Sequence, residues 1–314
     1  MGRHHYLRHH AVNGILEVLT QNILPIFLVA GLGFWLRRAK NVETRPVASV
    51  VFNGFSPALV FASLVKTELP AGHLAQLALF TVLSIAAMGV VGLVAGRLIG
   101  LCKADMVVLL LCLMFVNGGN YGMTLNQLRY GDTGLSLAIV YYITSTILAY
   151  SVGVFIVSMG RRTWRESLKK LASVPAIYAV GIAIVVYSFD LPVPGPLMEA
   201  IELASDGAIP AMILVLGMNM ADMTSFGQLR LTVPAASLRL LAGPLLALAI
   251  ASIVGLQGLN RSVAVIEASM PTAVLTTVLA TEFDVQPATV TSIVVLSTVL
   301  SPITLSLFIN LLVL

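Results

Sequence analysis

Phe115-Val116-Asn117-Gly118-Gly119-Asn120-Tyr121-Gly122-Met123-Thr124 lies in an apolar run long enough to cross a bilayer, yet it makes a poor helix. Three glycines and two asparagines stand between Asn117 and Gly122. Each glycine in a helix interior costs about 1 kcal/mol relative to alanine. In lipid, a backbone group released from its helix must find a partner in protein or in a water-filled cavity. The stretch therefore predicts a membrane helix that breaks at mid-depth. Adding 153 to Asn117 and Gly118 lands on Met270 and Pro271 in a second apolar run. Proline removes a donor and clashes with the preceding turn, so this run is expected to break as well.

The same offset holds elsewhere. Asn53-Gly54-Phe55-Ser56-Pro57-Ala58 corresponds to Asp206-Gly207-Ala208-Ile209-Pro210-Ala211, with a polar residue, a glycine and a Pro-Ala pair in the same places. Arg129-Tyr130-Gly131 falls on Glu282-Phe283-Asp284, and Thr144-Ser145 falls on Ser297-Thr298. Pro25 and Gly31 answer Pro175 and Gly181 at an offset of 150. An internal repeat of this kind precedes any motif in the reading of a fold.

Composition supplies the setting. Of 314 residues, 58% are hydrophobic and 10% charged, with a mean hydropathy of +0.96. Soluble domains carry about 25% charged residues. A cytoplasmic enzyme, a nucleic-acid reader and a disordered scaffold are excluded, and the net charge of +4 reflects short basic clusters between apolar runs. A spanning helix needs about 20 apolar residues. Ten such runs stand at 14–36, 46–66, 73–99, 105–127, 133–159, 171–189, 196–221, 231–255, 261–281 and 287–313. The sequence thus predicts an all-α polytopic membrane protein. Its repeats are residues 1–159 (spans 1–5) and 160–314 (spans 6–10), with spans 4 and 9 broken. Five spans per repeat is an odd number, so the second copy enters the membrane inverted, an architecture shared by many secondary transporters.

Lys and Arg follow the odd-numbered spans: Arg37, Arg38, Lys40, Arg45, Arg97, Lys103, the cluster Arg161, Arg162, Arg165, Lys169, Lys170, and Arg230. The opposite side holds Arg3, Arg8, Lys66, Arg129 and Arg261. By the positive-inside rule the odd loops are cytoplasmic and both termini lie outside. The Arg161–Lys170 cluster is also suited to anionic lipid.

Polar groups at depth are functional candidates. Glu267 lies one turn before Pro271. Ionised, it would coordinate a coupling Na⁺ with freed carbonyls and Asn117; neutral, it would carry a proton. Asp206 and Arg239 sit mid-span and form either a structural pair or two separate functional groups. Asn53 occupies the place of Asp206 in the other repeat, so both are expected to face a shared cavity. Asn219 is read as a cap at the end of span 7. The tail residues His4, His5, His9 and His10 lack a carboxylate or cysteine nearby, and no metal site is assigned. Cys102 and Cys112 suggest neither a disulfide framework nor a metal. A nucleotide-binding loop of the Gly-x-x-x-x-Gly-Lys type is absent, so a gradient is the expected energy source.

The stretch from Val263 through Ala268-Ser269-Met270-Pro271 to Glu282-Phe283-Asp284-Val285-Gln286-Pro287 and Pro302-Ile303-Thr304-Leu305 resembles the C-terminal helices of the auxin efflux carrier family. Ser205-Asp206-Gly207, Leu216-Gly217-Met218-Asn219-Met220-Ala221 and Asn117 with its following glycines are similar too. That family includes plant auxin exporters and bacterial relatives regarded as malonate or malate permeases. The resemblance implies a fold shared with bile-acid sodium symporters: a scaffold of spans 1, 2, 6 and 7, often dimeric, and a moving core of spans 3–5 and 8–10. It implies elevator-like transport and a place in a bacterial inner membrane. Val116 and Thr124 stand where plant members have prolines, and Glu267 stands where they have glutamine.

The expectation is a secondary transporter of a small mono- or dicarboxylate. The site residues are Asn117, Gly118, Gly119, Asn120, Gly122, Met270, Pro271, Thr272, Asn53 and Asp206. Glu267 and Asn117 serve ion coupling by Na⁺ or H⁺, with no other cofactor. The alternatives are a cation/proton antiporter on the same fold and a non-transporting membrane sensor. Neither a His-Glu-x-x-His nor a Gly-x-Ser-x-Gly motif occurs, so no enzyme is expected.

Overall fold

The computed structural model describes residues 16–66, 71–158, 172–223 and 226–313. The histidine tail and the Arg161–Lys170 cluster lie outside the described residues. The helices are α1 (Val18–Ala39), α2 (Thr44–Val65), α3 (Ala71–Leu98), α4 (Lys103–Met114), α5 (Gly118–Val157) and α6 (Pro175–Ser188). They continue as α7 (Gly195–Ala221), α8 (Leu229–Val254), α9 (Gly258–Ala268), α10 (Val274–Glu282) and α11 (Pro287–Val313). Among the described residues there is no strand.

Seven helices are long and apolar enough to cross a membrane: α1, α2, α3, α5, α7, α8 and α11. The difference from the ten expected runs has local causes. Run 105–127 is cut into α4 and the start of α5. Run 133–159 then continues α5 around a one-residue corner at Gly131, whose φ of 64° and ψ of −156° break the helix without ending it. Run 261–281 is divided into α9 and α10, and run 171–189 contributes only the 14-residue α6. Large apolar side chains such as Leu28, Ile253 and Ile303 are 65%, 80% and 70% exposed, as acyl chains in place of water permit.

Helix register widens before two of the prolines. In α2 the turn Val51–Phe55 is a π-helix ahead of Pro57, which lacks an N–H and crowds the carbonyl four residues back. The Asn53 amide turns back to the Ser49 carbonyl (2.8 Å) and Ser49 Oγ (3.1 Å). In α1 the π-turn Val18–Ile23 likewise precedes Pro25.

α1 packs along α7, and α2 along α6 and α7. The α1–α7 approach rests on two glycines. A Cβ on Gly33 would fall on the backbone of Leu214, and one on Gly217 on the carbonyl of Ala30. Small residues at such crossings let membrane helices meet backbone to backbone. Elsewhere α3 packs with α4, α5 and α8, and α11 packs with α8 and α10.

Loop contacts sort the two ends of the bundle. Arg37 pairs with Asp222 (2.5 Å), and Arg38 donates to the Met223 carbonyl (3.2 Å), joining the ends of α1 and α7. Gln286 donates to Asp105 (2.7 Å) and accepts from Gln228 (3.1 Å), which gathers the connections after α3, α7 and α10. At the other end Lys66 pairs with Glu202 (2.8 Å). Left-handed corners occur in both halves, at Asn41, Gly100 and Gly131 and again at Asp190, Gly255 and Asp284. Gly131 and Asp284 are the pair matched by the 153-residue offset.

Candidate functional site

The chain between α4 and α5 meets the chain between α9 and α10. Val116 and Thr272 form an isolated antiparallel bridge. The Asn117 N–H donates to the Pro271 carbonyl (2.8 Å), and the Ala273 N–H donates to the Phe115 carbonyl (2.9 Å). Two extended segments thus satisfy each other where neither has water.

Helix C-termini leave carbonyls without intrahelical partners, and here they are taken up by side chains. The Thr272 hydroxyl donates to the Cys112 carbonyl (2.9 Å). Arg239, 1% exposed, donates Nη1 to the Leu113 carbonyl (2.7 Å) and Nη2 to the Ala268 carbonyl. At the end of α9 the Ser269 N–H and hydroxyl both reach the Val265 carbonyl, at 3.0 and 2.5 Å.

The N-termini of α5 and α10 remain. Asn117 caps α5 with φ −77° and ψ 59°, and Ala273 caps α10 with an extended conformation. Both first turns border one cavity of about 270 Å³. Asn117, Gly118, Gly119 and Asn120 line it from α5, and Ala273, Val274 and Leu275 from α10. Phe52, Asn53, Tyr142 and Tyr150 stand among its other walls, with the hydroxyl side chains Ser56, Ser145, Thr146 and Ser173. No described lining residue is charged. Asn117 is 4% exposed, and its Nδ2 has no hydrogen-bond partner among the described residues.

Glu267, fully buried, lies on the other side of the α5 start. Asn126 Nδ2 donates to its Oε1 (2.9 Å) and to the Gly122 carbonyl (3.0 Å). Glu267 Oε2 and Asn126 Oδ1 have no donor among the described residues. A Cβ on Gly118 would stand 2.6 Å from Glu267 Oε2, and Gly122 is equally close beneath the carboxylate. The two glycines therefore do more than loosen the helix: they admit the acid.

Several expectations are corrected by this geometry. Of the two alternatives for Asp206 and Arg239, the pair does not form: Arg239 turns Nη1 and Nη2 to two helix ends, and its Nε has no partner among the described residues. Asn53 and Asp206 do not share a cavity. Asn53 lines the cavity above, whereas Asp206 lines a separate one of about 680 Å³ with Lys66, Asp132 and Glu202. Glu267 accepts from Asn126, which the sequence reading passed over, while Asn117, expected beside it as a second ligand of a coupling ion, lines the 270 Å³ cavity. Gly122, Met270, Pro271 and Thr272 are buried beside the 270 Å³ cavity without entering its lining. Asn219 borders a small cavity with Asp222 and Thr277 instead of capping α7. The signal for Asn126 was present as an amide one turn beyond Gly122, but an amide in a helix names no partner.

Residues 18–309 match the family described as membrane transport protein, the family of the auxin efflux carriers. The chain belongs to this family. An uncharacterized transporter of Methanothermobacter thermautotrophicus is 28% identical over 299 residues, covering 92% of this chain and 97% of that protein. An uncharacterized transporter of Methanocaldococcus jannaschii is 22% identical over 204 residues, covering 64% and 66%. Auxin efflux carrier component 1 of Arabidopsis thaliana is 26% identical over 150 residues, 46% of this chain and 24% of the plant protein. This member of the family is a multi-pass membrane protein with a transporter's role.

Proposed function

We propose that the protein is a secondary transporter that binds a small organic anion at the paired interruptions. The observation that carries this reading is the junction itself, which turns the N-termini of α5 and α10 toward one cavity with the free amide of Asn117 between them. Helix N-termini present unpaired N–H groups and partial positive charge, and so favour a carboxylate. The cavity walls are mainly aromatic and aliphatic, with the amides of Asn53, Asn117 and Asn120 and the hydroxyls of Ser56, Ser145, Thr146 and Ser173 among them, and without a lysine, arginine or histidine for a second carboxylate. That composition supports a monocarboxylate with an apolar body over a dicarboxylate. The kinship with auxin efflux carriers is in keeping with such a cargo.

In this reading each half contributes five passes, with α4 plus the start of α5 forming one broken pass and α9 plus α10 its inverted counterpart. The helices α3–α5 and α8–α11 form the block that moves as an elevator against α1, α2, α6 and α7. Glu267 with Asn126 holds the coupling cation, Na⁺ or H⁺. Two bare acceptor oxygens at a buried carboxylate support that assignment, since oxygen atoms in a dry interior need a donor or a cation.

Uptake into proteoliposomes tests the proposal. Asn117→Ala is expected to lower uptake of an aromatic monocarboxylate at least tenfold, the loss of a hydrogen bond to a charged group being worth about 1.5–3 kcal/mol. Unchanged uptake by folded Asn117→Ala protein would remove Asn117 from the site.

The buried acid also favours a second reading, a cation/proton antiporter. Cation flux driven by a pH gradient with no organic anion present separates the two.

A further inference from the structure

Arg239 and Glu267 are the two charged side chains classed as buried among the described residues. Glu267 belongs to the coupling site proposed above, whereas nothing yet accounts for Arg239. Its helix, α8, belongs to neither interruption. Its guanidinium nevertheless reaches the last turn of α4 through the Leu113 carbonyl and the last turn of α9 through the Ala268 carbonyl. Ser84 of α3, Met114 of α4 and Tyr141 of α5 line the same tight space. Gly243, one turn further along α8, makes room, since a Cβ there would fall on the guanidinium.

A planar fork with donors in fixed directions suits this position better than a point charge does, because it spans two acceptors at once. Both acceptors sit at the negative ends of helices. The cation therefore holds the two helix ends from which the crossing segments lead on to the first turns that border the cavity.

We propose that Arg239 is a positioning residue for the anion. By capping α4 and α9 together it keeps the two interruptions in register, and it supplies the positive charge that offsets an anion seated at the starts of α5 and α10. This inference rests on the anion reading above and adds to it a residue that does not touch the cargo. Loss of Arg239 acts on affinity through the junction, and a lysine ammonium, with three donors, restores the charge and bridges the two carbonyls more loosely.

The test uses the full-length protein with Arg239→Gln and Arg239→Lys, each shown to be monodisperse and to melt cooperatively. In proteoliposomes, Arg239→Gln is expected to raise the half-saturating concentration of phenylacetate on the order of tenfold, with a smaller change in maximal rate, and Arg239→Lys to recover most of the loss. The native cysteines give a readout that needs no substrate. Cys102 is exposed and Cys112, beside the capped Leu113, is buried. N-ethylmaleimide should modify Cys102 alone in the unaltered protein and in Arg239→Lys, and both cysteines in Arg239→Gln. Folded Arg239→Gln protein that saturates at the unaltered concentration overturns the proposal. So does an Arg239→Lys protein that recovers no affinity. Should Arg239→Gln not fold, reaction of Cys112 in Arg239→Lys as fast as Cys102 overturns it as well. Absence of phenylacetate uptake by the unaltered protein would instead count against the monocarboxylate reading, and the cysteine contrast would still decide whether the cap exists.

Discussion

Glu267 is held by one oxygen and leaves the other bare, and that asymmetry is where chemistry enters at the scale of single residues. A carboxylate enclosed by helix and two glycines is shut off from bulk solvent, and in the reading proposed above a cation or a proton completes its shell. Glu267→Gln keeps the shape and removes the charge. It is expected to abolish any dependence of anion flux on an imposed Na⁺ or pH gradient while leaving the protein folded. Flux measured with and without each gradient checks this, and a gradient effect that persists in the variant would take Glu267 out of coupling. The glycines that admit the acid were visible in the sequence as helix breakers, and their second role was not. A glycine's freedom can be read locally; what fills the space over it comes from a residue 149 positions away.

At the scale of elements, the fold depends on close approaches that tolerate little added volume. Gly217 lies against the Ala30 carbonyl, a backbone group that cannot swing aside, whereas Gly31 on the same helix as Ala30 has nothing within 4 Å. Gly217→Ala is expected to destabilise the protein by about 1–3 kcal/mol through overpacking. Gly31→Ala should be neutral or slightly stabilising, by up to about 1 kcal/mol from helix propensity. Thermal unfolding in detergent compares them, and equal melting temperatures would contradict the α1–α7 packing. Helix content and the weak points at Asn117–Gly122 and Pro271 were legible, because composition, glycine and proline act on their own chain. The corner at Gly131 was legible only as a loop, and a single left-handed residue let α5 run past it. Partners were not legible. Arg239 looked equally suited to Asp206, and only the folded chain shows its donors committed to Leu113 and Ala268.

At the scale of the whole molecule, the ion pairs and amide contacts gather the connections after α1, α3, α7 and α10 at one end of the bundle and the Lys66–Glu202 pair at the other. The first end carries Arg37, Arg38, Lys40 and Lys103, and the positive-inside rule predicts a cytoplasmic place for it. Lys40→Cys and Gln257→Cys, each in a Cys102→Ser background, should be labelled from opposite sides of sealed vesicles by a membrane-impermeant maleimide. Labelling of both from one side would undo the arrangement. The proposed cargo cavity flanks the hand-over from α5 to α6, with Tyr150 and Val174 in its walls, while the larger acidic cavity with Asp132 and Asp206 lies toward the other end.

The seam between Phe115–Asn117 and Pro271–Ala273 is built from peptide groups alone. An imino acid at 117 or 273 would take away one of the two hydrogens that bridge the gap, whereas other exchanges at those positions leave both donors in place. Substitutions in the chamber next to the seam can therefore alter what it welcomes while the join itself stays in place.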